Sequence, residues 1–97
     1  MFVGVAVCEL HLPGVRSLKE KRKVVKSLVE RIYHRHRVSV TETAYHDLHQ
    51  RAEISMALIG NGYGEVENHL EDLRRVFDGE PEAFVTAWDP RVLEEAR

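Results

Sequence analysis

The fold is indicated first by residues 2–36, which read FVGVAVCELHLPGVRSLKEKRKVVKSLVERIYHRH. Residues 2–12 predict a strand, and both of its alternating faces are apolar at the start, which is typical of a central position in a sheet. Glu9 and His11 then make one face polar, so that face should meet water. Pro13-Gly14 ends the strand. The chain therefore opens with a strand that is covered on one side and open along part of the other.

The segment after this strand predicts a long amphipathic helix. Ser17 and Glu20 stand three residues apart in a capping-box pattern, which satisfies amide donors of the first helical turn. The helix is expected to reach about His36, a length of roughly 27 Å at 1.5 Å per residue. Its apolar seam recurs at helical spacing and consists of Leu18, Val25, Leu28, Val29, Ile32 and Tyr33. This seam is expected to pack on the sheet.

A hairpin is predicted next. Strict alternation over residues 38–44 places Val38 and Val40 inward, and residues 52–59 alternate in the same way. The polar residues 45–50 join the two strands. The pair therefore forms a hairpin with a loop of moderate length.

A second helix and a last strand complete the chain. The helix follows the glycine-rich residues 60–64 and runs to about Asp78, before Gly79. The strand is predicted over residues 83–88, because Pro90 should stop it. Residues 91–97 are then expected to form a C-terminal tail.

The predicted order is βαββαβ, the split βαβ or ferredoxin-like arrangement of the α+β class. Two helices cover one face of a four-stranded antiparallel sheet, whose first and third strands are central. The 97 residues make one such domain. The other face of the sheet is open and meets either solvent or a partner.

Composition excludes several classes of protein. The single cysteine, Cys8, rules out a disulfide framework, an iron–sulfur cluster and a Cys-based zinc site. It faces the predicted core and is interpreted as a small apolar filler. No apolar run approaches the roughly 20 residues of a membrane span, and the start lacks a signal-like pattern. A cytoplasmic protein without membrane contact is therefore predicted, and its ten arginines and three amide side chains fit a heat-adapted source.

Charge is strongly segregated along the chain. Residues 16–37 carry nine basic and two acidic side chains, whereas the remaining residues carry five basic and fourteen acidic ones. The net charge of -2 therefore conceals one positive segment on an acidic body. Such a segment fits a polyanionic partner, and the plainer alternative is a solvated helix face paired with nearby acids.

Four cations of the first predicted helix share one face. Lys19, Arg22, Lys23 and Lys26 recur at i, i+3, i+4 and i+7 and form what we call the basic stripe. Like charges this close cost a few tenths of a kcal/mol per pair, which favours a function that offsets the cost. The stripe would contact phosphates, with Arg16 and Arg51 as supporting contacts. Backbone contacts of this kind give affinity and not sequence readout.

Other candidate sites carry weaker signals. His46-Asp47-Leu48-His49 could ligate a metal or support acid–base chemistry, with His11 as a third ligand if the fold brings it close. The plainer interpretation is that Asp47 caps a turn and that Arg51 pairs with an acid. Residues 60–64, GNGYG, resemble a phosphate-cradling loop but lack the Lys-Ser/Thr of a P-loop, so a tight turn accounts for them better.

The chain resembles the YlxP-like family of small bacterial proteins of uncharacterised function. The resemblance rests on residues 9–13, ELHLP, residues 17–28, SLKEKRKVVKSL, and residues 47–52, DLHQRA. It implies a ferredoxin-like fold and brings no catalytic residues. Family genes tend to lie among those for translation initiation and ribosome maturation, which implies an RNA or ribosome partner.

We therefore predict a small RNA- or ribosome-associated binding protein that uses Arg16, Lys19, Arg22, Lys23, Lys26 and Arg51. The alternative is a homo-oligomeric module, such as a homodimer, in which open sheet faces or the last edge strand pair across a two-fold axis. An enzyme is the third possibility, and the motifs of acylphosphatases, the enzymes best known on this fold, are missing. No cofactor and no metal is predicted.

Overall fold

A computed structural model describes residues 1–96 and confirms the predicted order of elements. The elements are β1 (Phe2–His11), α1 (Leu18–His36), β2 (Ser39–Ala44), β3 (Arg51–Gly60), α2 (Tyr63–Asp78) and β4 (Phe84–Glu94). The strands form one antiparallel sheet in the order β2-β3-β1-β4, so β1 and β3 are central as predicted. Both helices pack on the same face.

The core lies between the sheet and the helices. On β1 the even-numbered residues from Gly4 to Leu10 are buried, and on β3 the even-numbered residues from Ala52 to Gly60 are buried. Because β1 and β3 pair directly, these residues share the face that the helices cover. The odd-numbered residues of both strands form the open face of the sheet.

Helix α1 begins as the capping pattern predicts. The Glu20 amide donates to Ser17 Oγ at 3.1 Å, and the Glu20 carboxylate accepts from the Arg16 amide at 2.9 Å. The helix ends at Arg37, whose left-handed backbone (φ 52°) lets its amide donate to the Tyr33 carbonyl. Tyr33 itself was predicted in the apolar seam, which is wrong: it is 58% exposed, because the seam follows Leu28 and Ile32 onto the sheet.

Helix α2 lies close to the sheet because two glycines leave room for it. A Cβ atom on Gly4 would sit 2.6 Å from Val66 Cγ1, and one on Gly60 would sit 2.6 Å from Val66 Cγ2. Val66, at the start of α2, is fully buried between them. Of the glycine-rich residues 60–64, Gly60 ends β3, while Tyr63 and Gly64 already belong to α2, which begins two residues earlier than predicted. Gly62 caps the helix without a side-chain hydrogen bond.

The end predicted for the last strand is wrong. β4 continues through Pro90 to Glu94, so the tail expected from residue 91 is sheet as far as residue 94, and residue 97 lies outside the described part of the chain. Pro90 pairs with Ala6 in an edge strand. An edge strand tolerates proline, because alternate amides point away from the sheet and make no ladder hydrogen bond.

Candidate nucleic-acid interface

The basic stripe lies on the outer side of α1, where all four of its side chains are exposed. Lys26 lies 3.9 Å from Glu30, and both of these side chains are more than half exposed. Within residues 1–96, the stripe's other three cations, Lys19, Arg22 and Lys23, take part in no ion pair. The face therefore presents uncompensated positive charge to solvent.

Several arginines elsewhere are compensated, in contrast to the stripe, whereas Arg16, Arg35 and Arg37 take part in no ion pair within residues 1–96. Each of four arginines lies within 4 Å of a carboxylate: Arg31 beside Glu80, Arg74 beside Asp78, Arg75 beside Asp72 and Arg91 beside Asp89. The interpretation as solvated, paired charge thus describes these arginines and Lys26, and it does not describe Lys19, Arg22 and Lys23.

Arg16 lies next to the stripe, in the turn that leads into α1. Its amide donates to the Glu20 carboxylate at 2.9 Å, and its side chain is exposed. The capping interaction therefore fixes the backbone of Arg16 one turn before Lys19, and the two cations can act together.

The structure does not bring Arg51 together with the stripe. Arg51 begins β3 and lies on the open face of the sheet, opposite to the helices. Its guanidinium lies 4.0 Å from the centroid of the Tyr45 ring, donates to Tyr45 Oη at 2.9 Å and lies 3.6 Å from Glu9 Oε1. The expected pairing of Arg51 with an acid is confirmed, and the acid is Glu9.

Tyr45 links this cluster. Its hydroxyl donates to Glu9 Oε1 at 2.9 Å while it accepts from Arg51. The hydrogen bond to Glu9 raises the pKa of Tyr45 above its ordinary value of 10.0, because the bond requires the protonated phenol. Three side chains are thereby fixed at one end of the open face.

A buried lysine, which sequence reasoning missed, holds the loop that carries these groups. Lys21 is fully buried, and its ammonium donates to the carbonyls of Tyr45 at 2.5 Å and Leu48 at 2.7 Å. The ammonium also lies 2.9 Å from Glu42 Oε2. A signal was available, because position 21 lies four residues before Val25 on the apolar seam of α1.

The loop of residues 45–50 is also tied to the turn before α1. Gln50 Nε2 donates to the carbonyls of Pro13 and Val15, each at 3.3 Å, and the Gln50 carbonyl accepts from the Leu12 amide at 3.0 Å. Tyr45 adopts a left-handed conformation (φ 63°), which is uncommon for a residue other than glycine. These bonds give the loop a defined shape beside the start of the stripe.

The histidines of this loop take different partners. His46 Nε2 lies 3.2 Å from the Glu42 carbonyl, whereas His49 lines a shallow cavity together with His11. Across residues 1–96, no group of three or more His, Cys, Asp or Glu side chains is arranged to hold a metal ion. Asp47 is exposed at the tip of the loop.

Cys8 is fully buried, which confirms its assignment to the core. Burial raises the pKa of its thiol from 9.0 to about 12, because the thiolate would lose its hydration. The thiol is therefore neutral and unreactive in the folded protein.

In the described part of the chain, no helix has the length and apolar character to cross a membrane.

Two solved structures are similar to this fold. An acylphosphatase from Bacillus subtilis matches with a TM-score of 0.50 and 18% identity, over 99% of this chain and 89% of that one. A de novo designed protein with a ferredoxin fold matches with a TM-score of 0.52 and 14% identity, over 100% of this chain and 88% of that one. Likeness at this level of identity confirms the ferredoxin-like fold alone.

Sequence comparison identifies the family. The uncharacterised protein YlxP of Bacillus subtilis (strain 168) is 32% identical over 80 residues, which cover 82% of this chain and 87% of that protein. The model of the family described as protein of unknown function (DUF503) matches residues 3–89. The chain therefore belongs to the DUF503 family of proteins of unknown function, as the resemblance to YlxP-like proteins predicted.

Proposed function

We propose that this protein binds RNA, free or in the ribosome, through the phosphodiester backbone and the basic stripe of α1. The proposal rests on a contrast in ion pairing between the cations of the stripe and the arginines of α2 and β4. Three of the stripe's four cations have no ion-pair partner within residues 1–96, whereas arginines on α2 and β4 each lie beside a carboxylate. Uncompensated cations on one helix face supply the electrostatic term of nucleic-acid binding.

The shape of the surface agrees with a backbone contact. The stripe occupies residues 19–26 of α1, a rise of about 10 Å at 1.5 Å per residue, so its cations form one short positive row. Arg16 extends the row beyond the first turn of α1. Arg51 lies on the opposite side of the sheet, which removes it from this surface and leaves five cations in the row.

A matched pair of variants tests the proposal. In the first, Lys19, Arg22 and Lys23 are each changed to Gln, and in the second, Arg74, Arg75 and Arg91 are each changed to Gln. Both variants lose three positive charges, so they change the net charge equally. Binding to purified small ribosomal subunits and to a generic single-stranded RNA is measured at low salt.

We expect the first variant to bind at least about tenfold more weakly than the second, because each lost phosphate contact lowers affinity. Equal weakening in both variants would show that net charge matters and the stripe does not. Full affinity in the first variant, with an unchanged thermal midpoint, would also contradict the proposal.

The second candidate function is a homodimer formed through the open sheet face. One end of that face is apolar, and its members include Val3, Val5, Ala57, Ile59 and Leu93. Ile59 is 69% exposed and Leu93 48% exposed, which is unusual for side chains that share a face with other apolar residues. Sedimentation equilibrium tests it: a monomer at high concentration would exclude this candidate.

A further inference from the structure

We propose that a shallow pocket at the end of the open face, lined by His11, Leu48, His49, Gln50 and Arg51, receives an unstacked base of the RNA strand that the stripe holds. This inference rests on the proposed function and names the second contact of the same partner. The pocket encloses about 390 Å³.

The first argument is that the planar guanidinium of Arg51 is held in one orientation. Its guanidinium stacks on the Tyr45 ring, is fixed by the Tyr45 hydroxyl, and lies 3.6 Å from Glu9 Oε1. The side chain is nevertheless 51% exposed, so part of it remains open to the pocket. A fixed guanidinium plane is a surface on which unstacked bases of single-stranded RNA stack.

The second argument concerns His11. Its Nδ1 lies 3.1 Å from the Gln50 carbonyl, and a carbonyl can only accept, so Nδ1 carries the proton. In the neutral ring Nε2 is then an acceptor, and it has no hydrogen-bond partner in the described part of the chain. An acceptor at the pocket wall can take an amino or imino donor from the edge of a base.

The third argument is that the pocket is apolar where a ring would lie and is kept open by the fold. Leu48 is 48% exposed, although the loop that presents it is fixed by the buried Lys21. An exposed leucine on a fixed loop, which lines the same pocket as imidazole and guanidinium groups, offers an apolar contact to the flat face of a base.

The fourth argument is continuity with the stripe. Gln50, which lines the pocket, donates to the carbonyls of Pro13 and Val15 at 3.3 Å. Val15 precedes Arg16, the first cation of the basic row. A strand whose phosphates follow the row toward the start of α1 therefore arrives at the pocket.

The test compares two probes of equal charge. One is a single-stranded oligoribonucleotide of about 12 nucleotides, and the other has the same backbone with abasic positions throughout. Affinities are measured by fluorescence anisotropy for the wild type, Arg51→Lys, Leu48→Ala and Tyr33→Ala. Arg51→Lys keeps the charge and loses the plane, and Tyr33→Ala removes an exposed ring from the far end of α1.

We expect the wild type to prefer the intact RNA by at least about fivefold, which corresponds to the stacking of one base. Arg51→Lys and Leu48→Ala should each remove most of that preference, and Tyr33→Ala should keep it. Equal affinity of the wild type for both probes would overturn the pocket and leave the stripe standing. A preference that survives both pocket variants would overturn it as well. Failure of the wild type to bind either probe at low salt would overturn the proposed function and the pocket together.

Discussion

Lys21 is a charged side chain at a position that the core of this fold would ordinarily give to an aliphatic residue. Its ammonium satisfies two loop carbonyls and pairs with Glu42, so the charge is buried with its partners. Removing one partner of such a group costs more than the pair contributes, because the others are left without a donor. The lysine thus determines the shape of the loop as well as the stability of the core.

We predict that Lys21→Met lowers the free energy of unfolding by on the order of 3 kcal/mol. The methionine fills the volume but leaves the carbonyls of Tyr45 and Leu48 unsatisfied. Lys23→Met is the matched control, since that side chain is exposed on the same helix, and its effect should stay within about 0.5 kcal/mol. Urea denaturation measures both, and equal midpoints would contradict this role of Lys21.

Tyr45 provides a second prediction, in the alkaline range. Its raised pKa stabilises the fold fully below the ordinary value of 10.0, and this contribution is lost as pH rises through the folded value. Glu9→Ala removes the hydrogen bond that is the main cause of the raised pKa of Tyr45, so the phenol should ionise at lower pH. Ultraviolet difference titration against Tyr45→Phe isolates this group. An unchanged midpoint in Glu9→Ala would show that Glu9 does not hold the phenol.

Sequence reasoning at this scale identified Cys8 as a core residue, because strand alternation places it inward, and it offered the pairing of Arg51 with an acid only as the plainer interpretation of the loop. It missed Lys21, although the helical period places position 21 on the buried seam. Lysine is ordinarily exposed, so the residue type argued against burial although the helical position favoured it. The partner carbonyls come from a loop more than 20 residues away, and periodicity holds no information about them.

At the scale of elements, the approach of α2 to the sheet depends on two residues without side chains. Gly4 on β1 and Gly60 at the end of β3 both face Val66. The closeness of this helix is what lets Val66 and Leu70 be buried against the sheet. Close packing of α2 therefore accounts for glycine at both positions, and no bound ligand is needed to explain them.

We predict that Gly4→Ala destabilises the protein by about 1–3 kcal/mol, since the added methyl would overlap Val66 Cγ1 at 2.6 Å. Gly14→Ala is the control, because a Cβ at that position meets no atom within 4 Å. Thermal unfolding followed by circular dichroism compares the two. Gly4→Ala with the stability of the wild type would show that α2 does not approach the sheet this closely.

Four of the six elements could be predicted from alternation and helical period within about one residue at each end, and α2 begins two residues earlier than predicted. The largest error is in β4, which is predicted to end at Trp88 and reaches Glu94. Proline ends central strands, because it cannot donate a ladder hydrogen bond, but β4 lies at the edge of the sheet and tolerates it. Whether a strand lies at the edge depends on the strand order of the whole sheet, and a local sequence pattern does not determine that order.

At the scale of the molecule, different surfaces carry different distributions of charge. The outer side of α1 is basic, whereas α2 and β4 carry arginines beside carboxylates. The open face of the sheet is divided again, with an apolar end near Val3 and a hydrogen-bonded end at Glu9, Tyr45 and Arg51. Three surfaces of distinct chemistry therefore surround one small core.

The stripe could be predicted from sequence, because its members share one helix and helical spacing is local. Arg51 could not be placed, since its side of the sheet depends on the register of β3 against β1. The pocket beside it was also beyond prediction. His11 and His49 come from separate segments, and a hydrogen bond from His11 to a loop carbonyl brings them together.

The most direct test of the central claim is the salt dependence of RNA binding for the wild type and for the variant in which Lys19, Arg22 and Lys23 are each Gln. For single-stranded RNA, each neutralised phosphate adds about 0.7 to the slope of log K against log salt. We predict that the variant's slope is shallower by about 2, which is the contribution of three phosphate contacts. Parallel lines for the two proteins would contradict the assignment of the stripe as the RNA-binding surface.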